Sequence, residues 1–231
     1  MTRSLGVFCM ALVACSSSSP VPGGDDAADD VVDVVAPALT YTEEREVCAD
    51  RDPLKRALFG DLHVHTRLSF DAWTNEVRTT MDQAYAFAKG EPVLLPPLDD
   101  EGMPTREVRL ERPLDFVALT DHAEFLAETS LCGDPTSAVH DSETCVAFNQ
   151  QGVQGTATMG LLLTLINPER HADICGEDGA ACRDLATTIW SQVQQAAEVW
   201  YDRSSRCELT TFVGYEYSGA TELANYHRNV I

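Results

Sequence analysis

The chain has 231 residues, 44% of them hydrophobic, enough to bury one domain core with a tail outside it. Its 16 basic and 37 acidic residues leave a formal charge of −21, a field that repels nucleic-acid phosphates and anionic lipid and so excludes binding to a nucleic-acid duplex through a broad basic surface. A small phosphorylated or nucleotidic substrate is not excluded, because a local cation outweighs distant surface charge.

The first 15 residues, MTRSLGVFCMALVAC, place Arg3 before a short apolar run that ends Leu12-Val13-Ala14-Cys15. A basic start, an apolar middle and small residues before a cut read as a secretory signal, well short of the ~20 apolar residues a membrane span needs. The ending resembles a bacterial lipobox, which implies that Cys15 becomes the lipid-bearing first residue of the mature chain. The alternative is a plain signal peptide in which Cys15 is incidental. Residues 16–44 are rich in Ser, Pro, Gly and Asp without a periodic apolar face, as in a disordered acidic tether. Ser16 after the cysteine is similar to lipoproteins sorted to the outer membrane. The expectation is an exported protein, lipid-anchored at the outer membrane and facing the periplasm or cell surface, with the lipid as its sole membrane contact.

With Cys9 and Cys15 in the signal, six cysteines remain: Cys48, Cys132, Cys145, Cys175, Cys182 and Cys207. An even number in an exported chain points to structural disulfides. Fifteen pairings exist for six cysteines; proximity favours Cys175 with Cys182 and Cys132 with Cys145, which leaves Cys48 with Cys207. No C-x-x-C spacing supports a zinc site among them.

The folded domain is expected over 45–231. RALFGDLHVH reads as a strand carrying Leu58, Phe59, Leu62 and Val64. TNEVRTTMDQAYAFAKG has helical spacing, with Thr74 as N-cap and Gly90 as stop signal. Residues 91–113 are a Pro- and charge-rich excursion that suits a small hairpin. LDFVALTDH is apolar on both faces, as in a buried parallel strand. Residues 141–166 read as mainly helical, interrupted by Gly152, Gly155 and Gly160. RDLATTIWSQVQQAAEVWYD predicts a long helix with Leu185, Ile189, Val193, Ala196 and Trp200 on its apolar side. ELTTFVGYEYSG then reads as a third strand and YHRNVI as the start of a fourth. This alternation is that of an α/β fold with a parallel sheet or barrel.

Polar residues close each of these strands, which is where sites are built in barrels and open α/β sheets. Residues two apart share a strand face, so Asp61, His63 and His65 are expected on one side. Asp121 and His122 close the second strand, Glu216 lies in the third, and His227 enters the fourth. Imidazole nitrogens and carboxylate oxygens converging from several strands suit zinc, iron or manganese, with a carboxylate able to bridge two ions. His140 and His171, in loops or helix ends, read as solvated side chains.

HVHTRLSFD, LTDHAEF and FVGYEYSG…YHRNVI resemble successive motifs of the PHP (polymerase and histidinol phosphatase) superfamily, and the fuller string resembles an uncharacterised PHP-like family of exported bacterial proteins. The resemblance covers about residues 45–231. It implies a distorted TIM-like barrel and a centre of two to three divalent ions (zinc, manganese or iron). His63 and His65 match the H-x-H pair of the first metal; Asp71 and His122 match ligands of a further metal; Glu216 matches the bridging carboxylate and His227 the histidine after it. The superfamily also supplies a later histidine and a final Asp-x-His, which do not occur before Ile231. A full barrel takes ~250 residues, so the barrel is expected to be incomplete at the C-terminus, in a fragment of a longer protein.

The implied chemistry is metal-dependent hydrolysis of a small-molecule substrate by metal-activated water, led by phosphoesters. Asp61 is a candidate to orient a ligand histidine, Glu124 a proton shuttle, and Arg228 a contact to an anionic group. The alternatives are an amidohydrolase-like C–N or C–O hydrolase, and a non-catalytic, lipid-anchored binding module that keeps metal for structure.

Overall fold

The computed structural model describes residues 44–231 apart from Pro53, Lys55 and Asn225. The expected signal peptide, its Cys15, and all but the last residue of the expected tether lie outside the described residues. Strands and helices interleave: β1 (Gly60–Val64), α1 (Phe70–Thr74), α2 (Met81–Ala88), β2 (Val93–Leu98), β3 (Pro104–Val108), β4 (Phe116–Leu119), α3 (Leu126–Gly133), α4 (Glu143–Phe148), α5 (Gly152–Gly160), α6 (Ala172–Cys175), α7 (Ala180–Trp200), β5 (Thr210–Val213), β6 (Tyr215–Gly219) and β7 (Tyr226–Val230). The fold is mixed α/β. Its centre is a three-stranded parallel sheet in the order β1-β4-β5; one antiparallel pair, β2–β3, is inserted between β1 and β4, and another, β6–β7, follows β5. Among the described residues these strands do not close into a barrel.

The central strand β4 is buried on both faces, with Val117, Ala118 and Leu119 almost fully covered, as the unbroken apolar run predicts. Tyr85 and Ala88 of α2 and Ala197 of α7 pack against Val117 and Leu119. The apolar stripe of α7 is Ile189, Val193 and Ala197, one residue every helical turn. Leu185, Ala196 and Trp200 sit partly buried beside it. A second core lies within the helical stretch between β4 and α7, around Phe148, Met159 and four half-cystines. The bridges are Cys48–Cys207, Cys132–Cys145 and Cys175–Cys182.

Several local expectations are corrected. Thr74 ends α1 instead of capping the next helix; its hydroxyl donates to the Phe70 carbonyl (3.0 Å) and meets Thr156 Oγ1 (2.6 Å) in a buried pocket. The cap is Thr80, six residues on. Its hydroxyl accepts from Gln83 N while Gln83 Oε1 accepts from Thr80 N, a reciprocal box that satisfies two otherwise free N–H groups. Gly90, at φ +92°, stops α2. The single strand expected over ELTTFVGYEYSG is two, broken at Gly214. A side chain there would meet the Val230 carbonyl oxygen at 3.1 Å and Thr120 Cγ2 at 3.2 Å, so glycine lets the chain cross close over the sheet end, and the following segment pairs antiparallel with β7 instead of continuing the parallel sheet. Leu58 and Phe59, just before β1, and Leu62 within it are exposed; among the described residues β1 pairs only with β4 and little packs over either of its faces. His140 and His171 are half-buried, not solvated: His140 Nδ1 lies 2.9 Å from the Cys132 carbonyl oxygen, and His171 Nε2 is buried with no hydrogen-bond partner.

Candidate metal centre

Three strand ends meet at one point. β1 and β4 are tied together just beyond their last paired residues: Asp121 accepts from Thr66 N (2.5 Å) and from Thr66 Oγ1 (2.8 Å). Complete burial pushes the Asp121 carboxyl up to about 6, against the pull of the two Thr66 hydrogen bonds. This clamp fixes His65 and His122, the neighbours of Thr66 and Asp121. β6 joins the same end through a parallel bridge, in which Glu216 N donates to the Asp121 carbonyl (3.0 Å) and Ala123 N donates to the Glu216 carbonyl (3.1 Å). β7 then sets His227 opposite Ser218.

Glu216 is the hub, its side chain only 3% exposed. Its Oε2 lies 2.9 Å from His63 Nε2, 2.7 Å from His65 Nε2 and 3.9 Å from His122 Nε2, while Oε1 lies 2.9 Å from His227 Nδ1. His63 Nε2 and His65 Nε2 are 3.1 Å apart. Asp71, in α1, places Oδ1 3.1 Å from His65 Nδ1 and Oδ2 3.6 Å from His122 Nε2. The six residues matched to metal ligands therefore converge. Burial raises the Glu216 carboxyl, but the nearby His122 ring and the His63 and His65 hydrogen bonds outweigh it and hold the group below its ordinary range. Asp71 is likewise held low against burial by His122, His65 and Ser69. Burial lowers His65, yet the hydrogen bond and charge of Asp71 carry it above its ordinary value.

Two observations bear on whether divalent ions fit here. The donors fall into three overlapping trios whose atoms lie within 4.8 Å of one another: His63, His65 and Glu216; His65, Asp71 and His122; His122, Glu216 and His227. Ligand bonds of 2.0–2.2 Å separate adjacent donors by roughly 2.8–3.1 Å at a right angle and roughly 3.3–3.6 Å at a tetrahedral one, so the 2.7–3.1 Å spacings around Glu216 Oε2 lie at the short end of that range. Hydrogen bonds have similar lengths, so the second observation weighs more. His122 Nε2 faces two carboxylate oxygens at 3.6 and 3.9 Å, beyond hydrogen-bond reach. A nitrogen aimed between two carboxylates without bonding to either suits a cation in the gap. The donor set is one of imidazole and carboxylate, which suits zinc, manganese or iron.

The three residues expected to support the chemistry are placed differently. A bulge between Asp61 and Val64 breaks the alternation of β1. Asp61 is exposed, and its carboxylate accepts from the His63 backbone N–H (2.9 Å) instead of reaching a ligand ring. Arg228 neighbours His227 in a strand and so projects from the opposite face, where it covers the Tyr226 ring at 4.9 Å; it does not face the centre. Glu124 does approach it: Oε1 accepts from Ser218 N (2.6 Å), and Oε2 is buried without a hydrogen-bond partner, 3.9 Å from His122 Nδ1.

Two serines absent from the sequence-level candidates complete the surroundings. Ser69 stands at the N-cap position of α1 but makes no cap bond. Its hydroxyl donates to Asp71 Oδ1 (2.6 Å), lies 3.2 Å from His65 Nδ1, and accepts from His122 N (3.1 Å). Ser218 Oγ is 2.7 Å from His122 Nδ1 and 3.4 Å from His227 Nδ1. The signal for Ser218 was its spacing, two residues after Glu216 in a strand and hence on the same face.

No curated protein and no solved structure matches the chain. A family model described as "Protein of unknown function (DUF3604)" matches residues 52–231, which takes in all six of the converging histidines and carboxylates, and the chain belongs to that family.

Proposed function

We propose that this protein is a metal-dependent hydrolase of PHP type, acting on a small-molecule substrate, with phosphoesters as the leading class. The observation that carries the proposal is the Glu216 carboxylate, almost fully buried and approached by His63, His65 and His227 at 2.7–2.9 Å. His63, His65, Asp71, His122, Glu216 and His227 would hold two to three divalent ions. When bound, such ions acidify water and neutralise charge developing on the attacked group. The chain's own part is positional. Thr66 and Asp121 lock the two strand ends, Ser69 holds Asp71 against His65, and Glu124 keeps a carboxylate oxygen beside His122 that is available to take up a proton. His63 and His227 leave the centre open to solvent, with side chains 57% and 41% exposed, so substrate reaches it from that side.

The parallel strands β1, β4 and β5 are read as part of a distorted TIM-like barrel. Export with a lipid anchor at Cys15 belongs to the same proposal, and the three disulfides support it, since they suit an oxidising compartment.

The test is elemental analysis of the purified protein, followed by assays on phosphoester and amide panels with and without chelator. Two to three ions per chain, with turnover lost on chelation and in Glu216→Gln, support the hydrolase. Turnover that survives complete metal removal refutes it. Stoichiometric metal with no turnover on either panel turns the reading to a non-catalytic module, and turnover on amides alone turns it to an amidohydrolase-like enzyme.

A further inference from the structure

Ser218 touches one half of the centre and not the other. The His122 ring is enclosed, 5% exposed, between Phe70, His65 and His227 at ring-centre distances of 4.8, 5.0 and 5.3 Å. A neutral imidazole carries one N–H, and a buried N–H needs an acceptor. Nε2 has none within hydrogen-bond range, since Asp71 Oδ2 and Glu216 Oε2 are 3.6 and 3.9 Å away. Nδ1 has Ser218 Oγ at 2.7 Å. The proton therefore belongs on Nδ1, and the Nε2 lone pair points bare into the gap between the two carboxylates.

The same hydroxyl lies 3.4 Å from His227 Nδ1, whose proton goes to the Glu216 carboxylate at 2.9 Å. The backbone of Ser218 is held independently, by its N–H to Glu124 Oε1 and by its register opposite His227. Losing the hydroxyl therefore leaves the strand pairing in place. His63 and His65, by contrast, meet Glu216, Asp71 and Ser69, and make no contact with Ser218.

We propose that Ser218 is a positioning residue that sets the loading of one ion: by accepting the His122 Nδ1 proton it presents Nε2 as a ligand, so the ion that His122 would help to hold between Asp71 and Glu216 depends on this hydroxyl while the ion held by His63, His65 and Glu216 does not. The inference rests on the metal-centre reading. Its consequence is an asymmetric pair in which one position can empty while the other stays filled.

The experiment is a Zn²⁺ titration of the full protein against a chromophoric chelator. The six cysteines of the described residues are all in disulfides, so no thiol among them competes for the ion. Ser218→Thr and Ser218→Val are compared with wild type, because the two are alike in size and strand preference and differ in the hydroxyl. Losing such a supporting hydrogen bond weakens a metal site by roughly 10–100-fold. The expected result is one zinc position weakened by that factor in Ser218→Val, a second position unchanged, and near wild-type behaviour in Ser218→Thr. In the metal-free protein, imidazole ¹⁵N signals should report His122 with its proton on Nδ1 in wild type and a shifted tautomer balance in Ser218→Val. Equal weakening of both positions, no weakening, or the same loss in Thr and Val overturns the proposal. Wild-type protein that binds no zinc overturns the metal reading and this proposal together; two zinc positions indifferent to the hydroxyl overturn the proposal alone.

Discussion

Replacing Cys48 and Cys207 together by alanine should destabilise the domain more than losing either of the other two bridges. The bridge spans 159 residues, so by the loop-closure relation its removal restores denatured-chain entropy amounting to about 5 kcal/mol at 25 °C. The 13- and 7-residue separations of the other two give about 3 and about 2.4 kcal/mol by the same relation. Little else fastens the leading segment. Val47 and Leu54 are more than 70% exposed, so apolar burial contributes little, and the ties are mainly exposed hydrogen bonds: Arg45 Nη1 to the Tyr201 hydroxyl, Glu46 N to the Arg203 carbonyl, Ala49 N to the Ser205 carbonyl, and Ser205 N to Glu46 Oε2. At ~2–4 °C per kcal/mol for a chain of this size, the melting midpoint should fall by roughly 10–20 °C. Thermal and urea unfolding followed by circular dichroism, without reductant, measures it. A fall of less than ~3 °C, under a third of the expected minimum, would refute the reasoning, by showing that the ends of this loop are not entropically free in the unfolded chain.

The metal-free protein should lose stability as pH rises through neutrality. His65 is raised above its ordinary value, so its contribution is fully present below ~6.5 and is lost as pH climbs through the folded-state pKa. Asp71 and Glu216 are depressed, so theirs is present above the ordinary carboxylate range and is lost in acid as pH falls through the folded values. Melting midpoints in chelator should decline as pH rises beyond ~6.5, and added zinc should reverse the trend, because histidines must be neutral to bind it; a flat or rising midpoint in chelator refutes the assignment. Gly60→Ala should cost on the order of 1–3 kcal/mol, since a Cβ there would lie 2.2 Å from the Phe116 carbonyl oxygen and would push β1 off β4. Urea unfolding and zinc affinity should both fall; a variant with the wild-type urea midpoint would show that the edge strand yields without strain.

What could be read from the chain was mostly what local rules govern. β4 announced itself as an unbroken apolar run, α7 by its one-per-turn stripe, and the β2–β3 hairpin by prolines and charges between longer elements. The residues of the centre stood out because histidine and acid pairs closed apolar strands. Geometry set by contacts distant in sequence was not legible. The break at Gly214 exists because Val230 and Thr120 crowd that point, and neither is near it in sequence. The bulge in β1 displaces Asp61, and strict alternation along β7 puts Arg228 on the face opposite His227. Thr80 was within reach, since T-x-x-Q is a recognised start signal, but Thr74 lay nearer the start of the periodic stretch. Ser69 looked like a helix cap and serves the acid and imidazole beside it instead.

The hub carboxylate also has a place in time. Glu216 stands 153 residues from His63 and 151 from His65, and the parallel pairs that bring them together are among the slowest contacts for a chain to form, because long loops must close before they are rewarded. The cluster of histidines and carboxylates cannot assemble until the β1-β4-β5 sheet has paired and the chain has turned at Gly214. An ion that needs ligands from both ends of this span binds the finished domain and has no equivalent site in a partly folded one. Metal uptake during refolding would then serve as a clock for the last step of folding, lagging behind the circular-dichroism signal of the helices and sharing the rate at which the sheet closes.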